Sequence, residues 1–351
     1  MDRSTVDAYE GDAAAQRYVD RRNVYEPERA EQLAAAASGW RIDVGCGPGH
    51  YTDLLGSPLV SLDASHAMVR TLRLRHPGAA AVQADFTALP FADRALGGAW
   101  ASKTYQHVAH EALPLALADL HRALRVGAPV RIGVFTGEGS AVTESDDDFP
   151  GRLFSWWAPD RLRAVVDGAG FTVDDVAVAG RDVEVVATRA RTLPDLVRPG
   201  LRVLVCGYNP SLYAADRGVP FARPGNRFWP AAIEAGLVTR DRDSWHAVQH
   251  DGVGFTDLVK RATVAAAELT AAELQAGLDR VDELSAWLQP AAVCVLGVGG
   301  WRRLVDRKAA LGWQDRTLGG APVYVMPNPS GLNASTQHAG FVEHLRNVGS
   351  R

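Results

Sequence analysis

Two groups of residues have the types and spacing to do chemistry. Arg41 to His50 read RIDVGCGPGH, which sets the acid Asp43 at the end of an apolar run and follows it with Gly45, Gly47 and Gly49. Glycines at alternate positions let the backbone turn tightly and approach a ligand without Cβ clashes. A helix expected to follow would offer unpaired N–H groups to an anionic group. The spacing is D-x-G-x-G-x-G and not the G-x-G-x-x-G of dinucleotide binders, which weakens a nicotinamide reading. Twenty residues on, Asp63 ends the next apolar run (VSLDAS), where a carboxylate can accept both hydroxyls of a ribose. A third acid, Asp85, with Phe86 behind it, ends the run after that.

The second group lies far downstream. Cys206 to Ser211 read CGYNPS, and Asn328 to Asn333 read NPSGLN. One Asn-Pro turn is ordinary. Two Asn-Pro-Ser turns, each closing an apolar strand, fall where open sheets gather their ligands. Between them sit VPFARPGNRFWP (Val219 to Pro230) and GVGFTDLVKRAT (Gly252 to Thr263).

The elements that must position these residues form two α/β series. The first reads as strands at Trp40 to Val44, Leu59 to Leu62, Ala80 to Ala84, Gly98 to Ala101 and Val130 to Phe135, with a helix over Leu113 to Arg125 and a closing apolar pair, FTVDDVAV and VEVVAT. Strands alternating with helices imply parallel pairing. The pattern stops near Thr188, and RARTLPDLVRPG, with two prolines and no periodicity, reads as a linker. The second series opens at Leu201, has helical stretches at Asn226 to Ala235 and Ala271 to Leu288, and strands at Ala291 to Gly297 and Pro322 to Asn328 with a helix after each. The span Tyr208 to Gly225 reads as a long irregular loop, a kind that is usually functional. The division is therefore residues 1–190, a linker over 191–200, and 201–351.

At 351 residues with 47% hydrophobic and 22% charged residues, the chain is globular in composition and long enough for two cores. Cys46, Cys206 and Cys294 lie far apart, which makes neither a disulfide framework nor a zinc site, so no metal is expected. The acidic, polar start and the lack of a long uncharged run imply no leader and no membrane span, hence a cytoplasmic protein, nucleoid-associated when acting on DNA. Through residue 190 there are 19 Lys and Arg against 26 Asp and Glu, and beyond it 18 against 15, so the second half is mildly basic. That permits nucleic-acid binding without proving it.

Residues roughly 8 to 190 resemble the class I S-adenosylmethionine-dependent methyltransferases of the small-molecule type, on the glycine motif, Asp63, the Asp85–Phe86 pair and the closing strand pair. The resemblance implies a Rossmann-like seven-stranded domain that binds S-adenosyl-L-methionine through Asp43, Gly45, Gly47, Gly49, Asp63, Asp85 and Phe86. It leaves the methyl acceptor open, as a small molecule or otherwise. Tyr105, His107 and His110 (YQHVAH) are expected near the transferred methyl, with His107 read as structural rather than catalytic.

Residues 195 to 348 resemble the mismatch-specific uracil-DNA glycosylase and thymine-DNA glycosylase family, on GYNPS, PFARPGNRFW, GFTDLVKRAT and NPSGLN. The resemblance implies an α/β/α domain with a short, mainly parallel sheet that acts on double-stranded DNA holding a G·U or G·T mismatch. By it, Asn209 holds the attacking water, and Asp257 is either a second carboxylate or a surface acid. Gly207, Tyr208, Ser211, Ala214, Phe221 and Asn328 form the base pocket, with Phe221 stacking on the flipped base. Ser330, Gly331, Leu332 and Asn333 form a wedge that fills the vacated stack; on residue pattern alone Leu332 would be half-buried in a helix-entry turn. Ser211 departs from the family's usual Gly, Tyr208 from an aliphatic residue and Ala262 from Pro. The rival expectation is a small-molecule methyltransferase whose C-terminal domain binds nucleobases without cutting DNA.

Overall fold

The computed structural model describes residues 2–143 and 147–350. They form two compact units, one of residues 1–167 and 171–190, the other of residues 168–170 and 191–351.

The first unit is built on a seven-stranded sheet. Its strands are β1 (Arg41–Val44), β2 (Leu59–Asp63), β3 (Ala80–Gln83), β4 (Gly98–Ser102) and β5 (Pro129–Phe135), joined after a small two-stranded ribbon, β6 (Ser140–Val142) with β7 (Leu153–Ser155), by β8 (Phe171–Ala179) and β9 (Asp182–Arg189). The order is β3-β2-β1-β4-β5-β9-β8, parallel through β5, with β9 antiparallel to both β5 and β8. β1 is buried at all four positions and β9 at every second one, which is how a central strand and a one-sided strand should read. The chain leaves β1 toward β2 on one side and returns to β4 on the other. The crevice at that reversal is where open sheets bind ligands. Three helices not anticipated from the sequence, Arg3–Tyr9, Asp12–Arg21 and Pro27–Ala36, precede β1. The helix expected after the glycine loop is a single turn, Thr52–Leu55, because the chain spends residues 47–51 in turns. It is too short to carry a useful dipole. Of the acidic run at 146–148, Asp146 lies outside the described residues, while Asp147 pairs with Arg152 at 2.5 Å and Asp148 with Arg21.

The second unit holds a five-stranded sheet: β10 (Val203–Gly207), β11 (Val253–Asp257), β12 (Val293–Leu296), β13 (Gly312–Leu318) and β14 (Ala321–Met326), in the order β11-β10-β12-β14-β13. Only the edge strand β13 runs antiparallel. β10, β11 and β12 are buried throughout, as continuous apolar strands in the middle of an α/β sheet must be. The helix Ala271–Leu288 has the expected bounds. It starts on a reciprocal cap in which Thr270 Oγ1 accepts from the Glu273 N–H and Glu273 accepts from the Thr270 N–H. The span 208–225 is not all loop, since Leu212–Arg217 is helical. Residues 191–200, read above as linker, lie in this second unit: Leu193, Leu196 and Val197 are buried, and Leu196 exchanges backbone hydrogen bonds with Phe255.

Candidate functional site

In the first unit the C-terminal ends of β1, β2 and β4 converge on a pocket. Its lining includes Gly45, Gly47, Asp63, Phe86, Lys103 and His107. Gly45 has φ +66°, and a Cβ there would meet Thr104 at 2.4 Å, so only glycine lets the loop lie against the segment that follows β4. Asp63 accepts from the Gly47 N–H and the Ser65 N–H, each at 2.9 Å, one on each carboxylate oxygen. Every carboxylate oxygen can accept twice, so a second acceptor site on each oxygen remains for ligand hydroxyls. Burial pushes this carboxyl up to about 6, against the pull of its backbone donors. Asp43 is buried on β1 and does not line the pocket; burial, with Asp63 next, pushes it up to about 8. Gly49 and Asp85 also stand behind the lining. Asp85 closes a turn by accepting from the Thr87 N–H and hydroxyl at 2.8 and 2.7 Å, and Phe86 is the member of that pair which faces the pocket.

Of the three residues expected near the methyl, only His107 reaches the lining. Its Nδ1 lies 2.7 Å from the Leu153 carbonyl, which can only accept, so Nδ1 carries the proton and Nε2 accepts from the Tyr9 hydroxyl at 3.2 Å. The Tyr9 oxygen in turn accepts from Arg152 at 2.7 Å. Burial pushes His107 down to about 4, so it is neutral and both nitrogens are committed. Tyr105 is fully buried edge-on to Phe86, and His110 is held by the Trp156 carbonyl.

In the second unit β10, β11 and β14 deliver the other group. Gly207 ends β10 opposite Asp257 on β11. A Cβ on Gly207 would stand 2.3 Å from an Asp257 carboxylate oxygen and 3.6 Å from the Phe221 ring, so glycine makes room for both. Asp257 is buried, not a surface acid, and burial pushes it up to about 6 despite Lys260 nearby. Phe221 sits at φ +56° and packs on Phe228 at 4.7 Å between ring centres. A non-glycine residue in that region is uncommon and clusters at functional sites.

Asn209 directs its side-chain NH₂ to the Arg261 carbonyl at 2.9 Å and to the Thr263 hydroxyl at 2.7 Å. The carbonyl can only accept, which fixes the amide's orientation and leaves Oδ1 as the acceptor at the strand end. Tyr208 turns the other way: its hydroxyl donates to the Gly297 carbonyl and accepts from the Gly300 N–H at 2.5 Å. Ser211 caps the helix Leu212–Arg217 by accepting from the Ala214 N–H at 3.2 Å, a role a glycine has no side chain to fill. Ala214 is buried on that helix.

Asn328 accepts from the Ser330 N–H, and its carbonyl accepts from the Asn333 side chain at 2.9 Å. Gly331 lies against the Gly225 backbone, and Leu332 is 90% exposed at the tip of the turn. The half-buried setting is thus corrected: the turn is closed by polar side chains and leaves Leu332 outside.

Four positions escaped the sequence reading. Arg227 donates to the carbonyls of Ser330, Asn333 and Thr336 and lies 4.6 Å over the Phe341 ring. Asp195 is buried between Lys260 at 2.8 Å and Arg280 at 2.6 Å. Arg280 also donates to the Asp257 carbonyl at 2.5 Å. Thr263 was legible only as part of a block.

Two α/β units, each with polar residues gathered at the carboxyl ends of its parallel strands, define an α/β protein with a candidate site in each unit. The chain carries a methyltransferase domain and a uracil DNA glycosylase superfamily domain: residues 42–132 match the former family's model and residues 194–347 the latter's. Similar solved structures include a SAM-dependent methyltransferase from Methanosarcina mazei (15% identity, 48% of this chain and 99% of that one, TM-score 0.42). Others are an S-adenosylmethionine-dependent methyltransferase from Mesorhizobium loti (17%, 46% and 96%, 0.39) and the Burkholderia thailandensis 1,6-didemethyltoxoflavin-N1-methyltransferase (21%, 51% and 88%, 0.39). No helix among the described residues is long and apolar enough to cross a membrane.

Proposed function

We propose that this protein removes uracil, and more slowly 5-substituted uracil or thymine, from G mismatches in double-stranded DNA, and that its N-terminal domain transfers methyl groups from S-adenosylmethionine. We divide it as a methyltransferase domain over 1–190 and a glycosylase domain over 201–351, with residues 191–200 connecting the two while packing with the second.

The observation that carries the glycosylase reading is the oriented Asn209 amide. With its NH₂ held by Arg261 and Thr263, Oδ1 is set to accept a hydrogen bond from a water and hold it in place without acting as a base. A weak, well-placed water suits departure of the base from a sugar that already has cationic character. Asp257 lies one strand away, where a buried carboxylate supports that developing positive charge. Phe221 offers its ring to the extruded base. Leu332, on the turn closed by Asn328, Ser330, Gly331 and Asn333, enters the gap left in the stack. Incubating the protein with a G·U duplex, then treating with alkali, tests the reading; an intact strand would sink it.

For the cofactor, Asp63, Gly45, Gly47 and Phe86 would make the direct contacts, with Asp43, Gly49 and Asp85 shaping the loops behind them. The open acceptor capacity of Asp63 suits a nucleoside-bearing ligand. When bound, S-adenosylmethionine supplies a methyl group on a sulfonium. His107, neutral and pinned between Leu153 and Tyr9, shapes the pocket wall and is not positioned to take a proton.

A further inference from the structure

Beside the first pocket, and sharing Tyr9, Tyr18, Ser102, Lys103 and His107 with it, lies a cleft of about 690 Å³, within the range of small-molecule sites. One wall is a run of nearly parallel rings: Phe135 on Phe154 at 24° and Phe154 on Trp156 at 18°. Around it stand cations. Arg181 lies 4.4 Å over Phe135, Lys103 4.6 Å over the same ring and Arg152 4.8 Å over Phe154. Arg152 is tied to Asp147 and Lys103 to Asp182 at 2.6 Å. Among the described residues, neither Arg22 nor Arg181 has a carboxylate at ion-pair distance, and both line the cleft. Lys103 sits at φ +60° directly after β4, a strained position at the wall that Ser102 and Lys103 make for both cavities.

We infer that the methyl acceptor is a planar aromatic or heteroaromatic molecule bearing an anionic oxygen, which stacks on the Phe154–Trp156 wall with its charge toward Arg181 and Arg22. The inference rests on the methyltransferase reading of this domain. Aromatic walls favour flat rings, and a ring whose electrons are already drawn to Arg181 offers its neighbour a face matched to an anion-bearing partner. The oxygen arrives ionised, and His107, whose two ring nitrogens are held by Leu153 and Tyr9, takes no proton from it. In the transfer, the anionic oxygen forms a bond to the methyl carbon. The sulfur–methyl bond breaks with its electron pair going to sulfur, and no proton moves.

Calorimetry on the full chain saturated with S-adenosylhomocysteine tests this, using 4-nitrophenolate and salicylate as probes against cyclohexanecarboxylate and benzylammonium. Mass spectrometry of turnovers with S-adenosylmethionine distinguishes a methyl ether from a methyl ester. At least one aromatic anion should bind about tenfold or more tightly than either control, and Arg181→Gln should weaken it by about tenfold while S-adenosylhomocysteine binding is unchanged. Because Arg181 is exposed, the variant should fold; Trp156→Leu provides a second, uncharged test of the stacking wall. Equal binding of cyclohexanecarboxylate, tighter binding of benzylammonium, or indifference to both substitutions overturns the acceptor class alone. Failure of the parent to bind S-adenosylhomocysteine overturns the cofactor reading and this inference with it.

Discussion

Truncating Leu332 to alanine tests the proposed wedge apart from everything else in the second unit. In the free protein its side chain is 90% exposed, so removal should leave folding stability within about 0.5 kcal/mol of the parent. Inserted between bases, the same side chain becomes buried, which for a leucine is worth roughly 1.5–3 kcal/mol. Alanine forfeits most of that, and a loss of about 2 kcal/mol slows single-turnover excision from a G·U duplex about 30-fold. Uracil in a single strand is already unstacked, so its excision should change little. The assay is alkali scission on matched duplex and single-stranded substrates, with thermal melting in parallel. Equal slowing on both substrates, or a melting temperature several degrees lower, would refute the wedge and make Leu332 part of the pocket or the fold.

Asp63→Ala should weaken S-adenosylmethionine binding by about 1.5–3 kcal/mol in calorimetry; in the parent, affinity should fall as pH drops through about 6, where Asp63 gains a proton and loses acceptor capacity. Asn209→Ala should abolish excision while gel-shift affinity for DNA survives, and Thr263→Val, which removes one of the two groups orienting that amide, should slow excision about tenfold. The folded-state value of about 6 for Asp257 lies above its ordinary 3.8. The native state therefore holds this proton more firmly than the unfolded chain, and stability falls by about 3 kcal/mol as pH rises from about 4 to 6. Urea midpoints at pH 4 and pH 7 should show that loss reduced in Asp257→Asn. Ala214→Ser should lower the thymine-to-uracil rate ratio; an unchanged ratio would show that Ala214 does not gate the base.

Central strands such as β1 and β10 were legible because parallel strands buried on both faces must be apolar from end to end. β13 was not: as an edge strand with Asp315, Arg316 and Thr317 exposed, it lacks that signal. β11 was seen as a motif and not as a strand, since Gly254 and Asp257 interrupt its hydrophobic reading although all five positions are buried. The helix hidden in the Tyr208 to Gly225 span could have been found from Ser211 preceding Leu212, a cap signature. The role of Arg227 could not have been. Its partners are main-chain carbonyls about a hundred residues away, and carbonyls leave no trace in side-chain identity. Asp195 and Arg280 were hidden for a related reason: each looks like an ordinary surface charge until tertiary packing buries the pair.

The Arg227 anchor has a kinetic corollary. A repair protein searching DNA meets ordinary pairs far more often than damaged ones, and it slides or hops between them on electrostatic contacts alone. A probing loop that had to order itself at every stop would bear an entropic cost each time, roughly 0.5–1.5 kcal/mol for each immobilised side chain. With three carbonyls of the 330–336 turn gathered by one guanidinium, that ordering is complete before any DNA arrives. In the proposed role, the residence time needed to interrogate a base pair is then set by the deformability of the DNA and not by the folding of the loop.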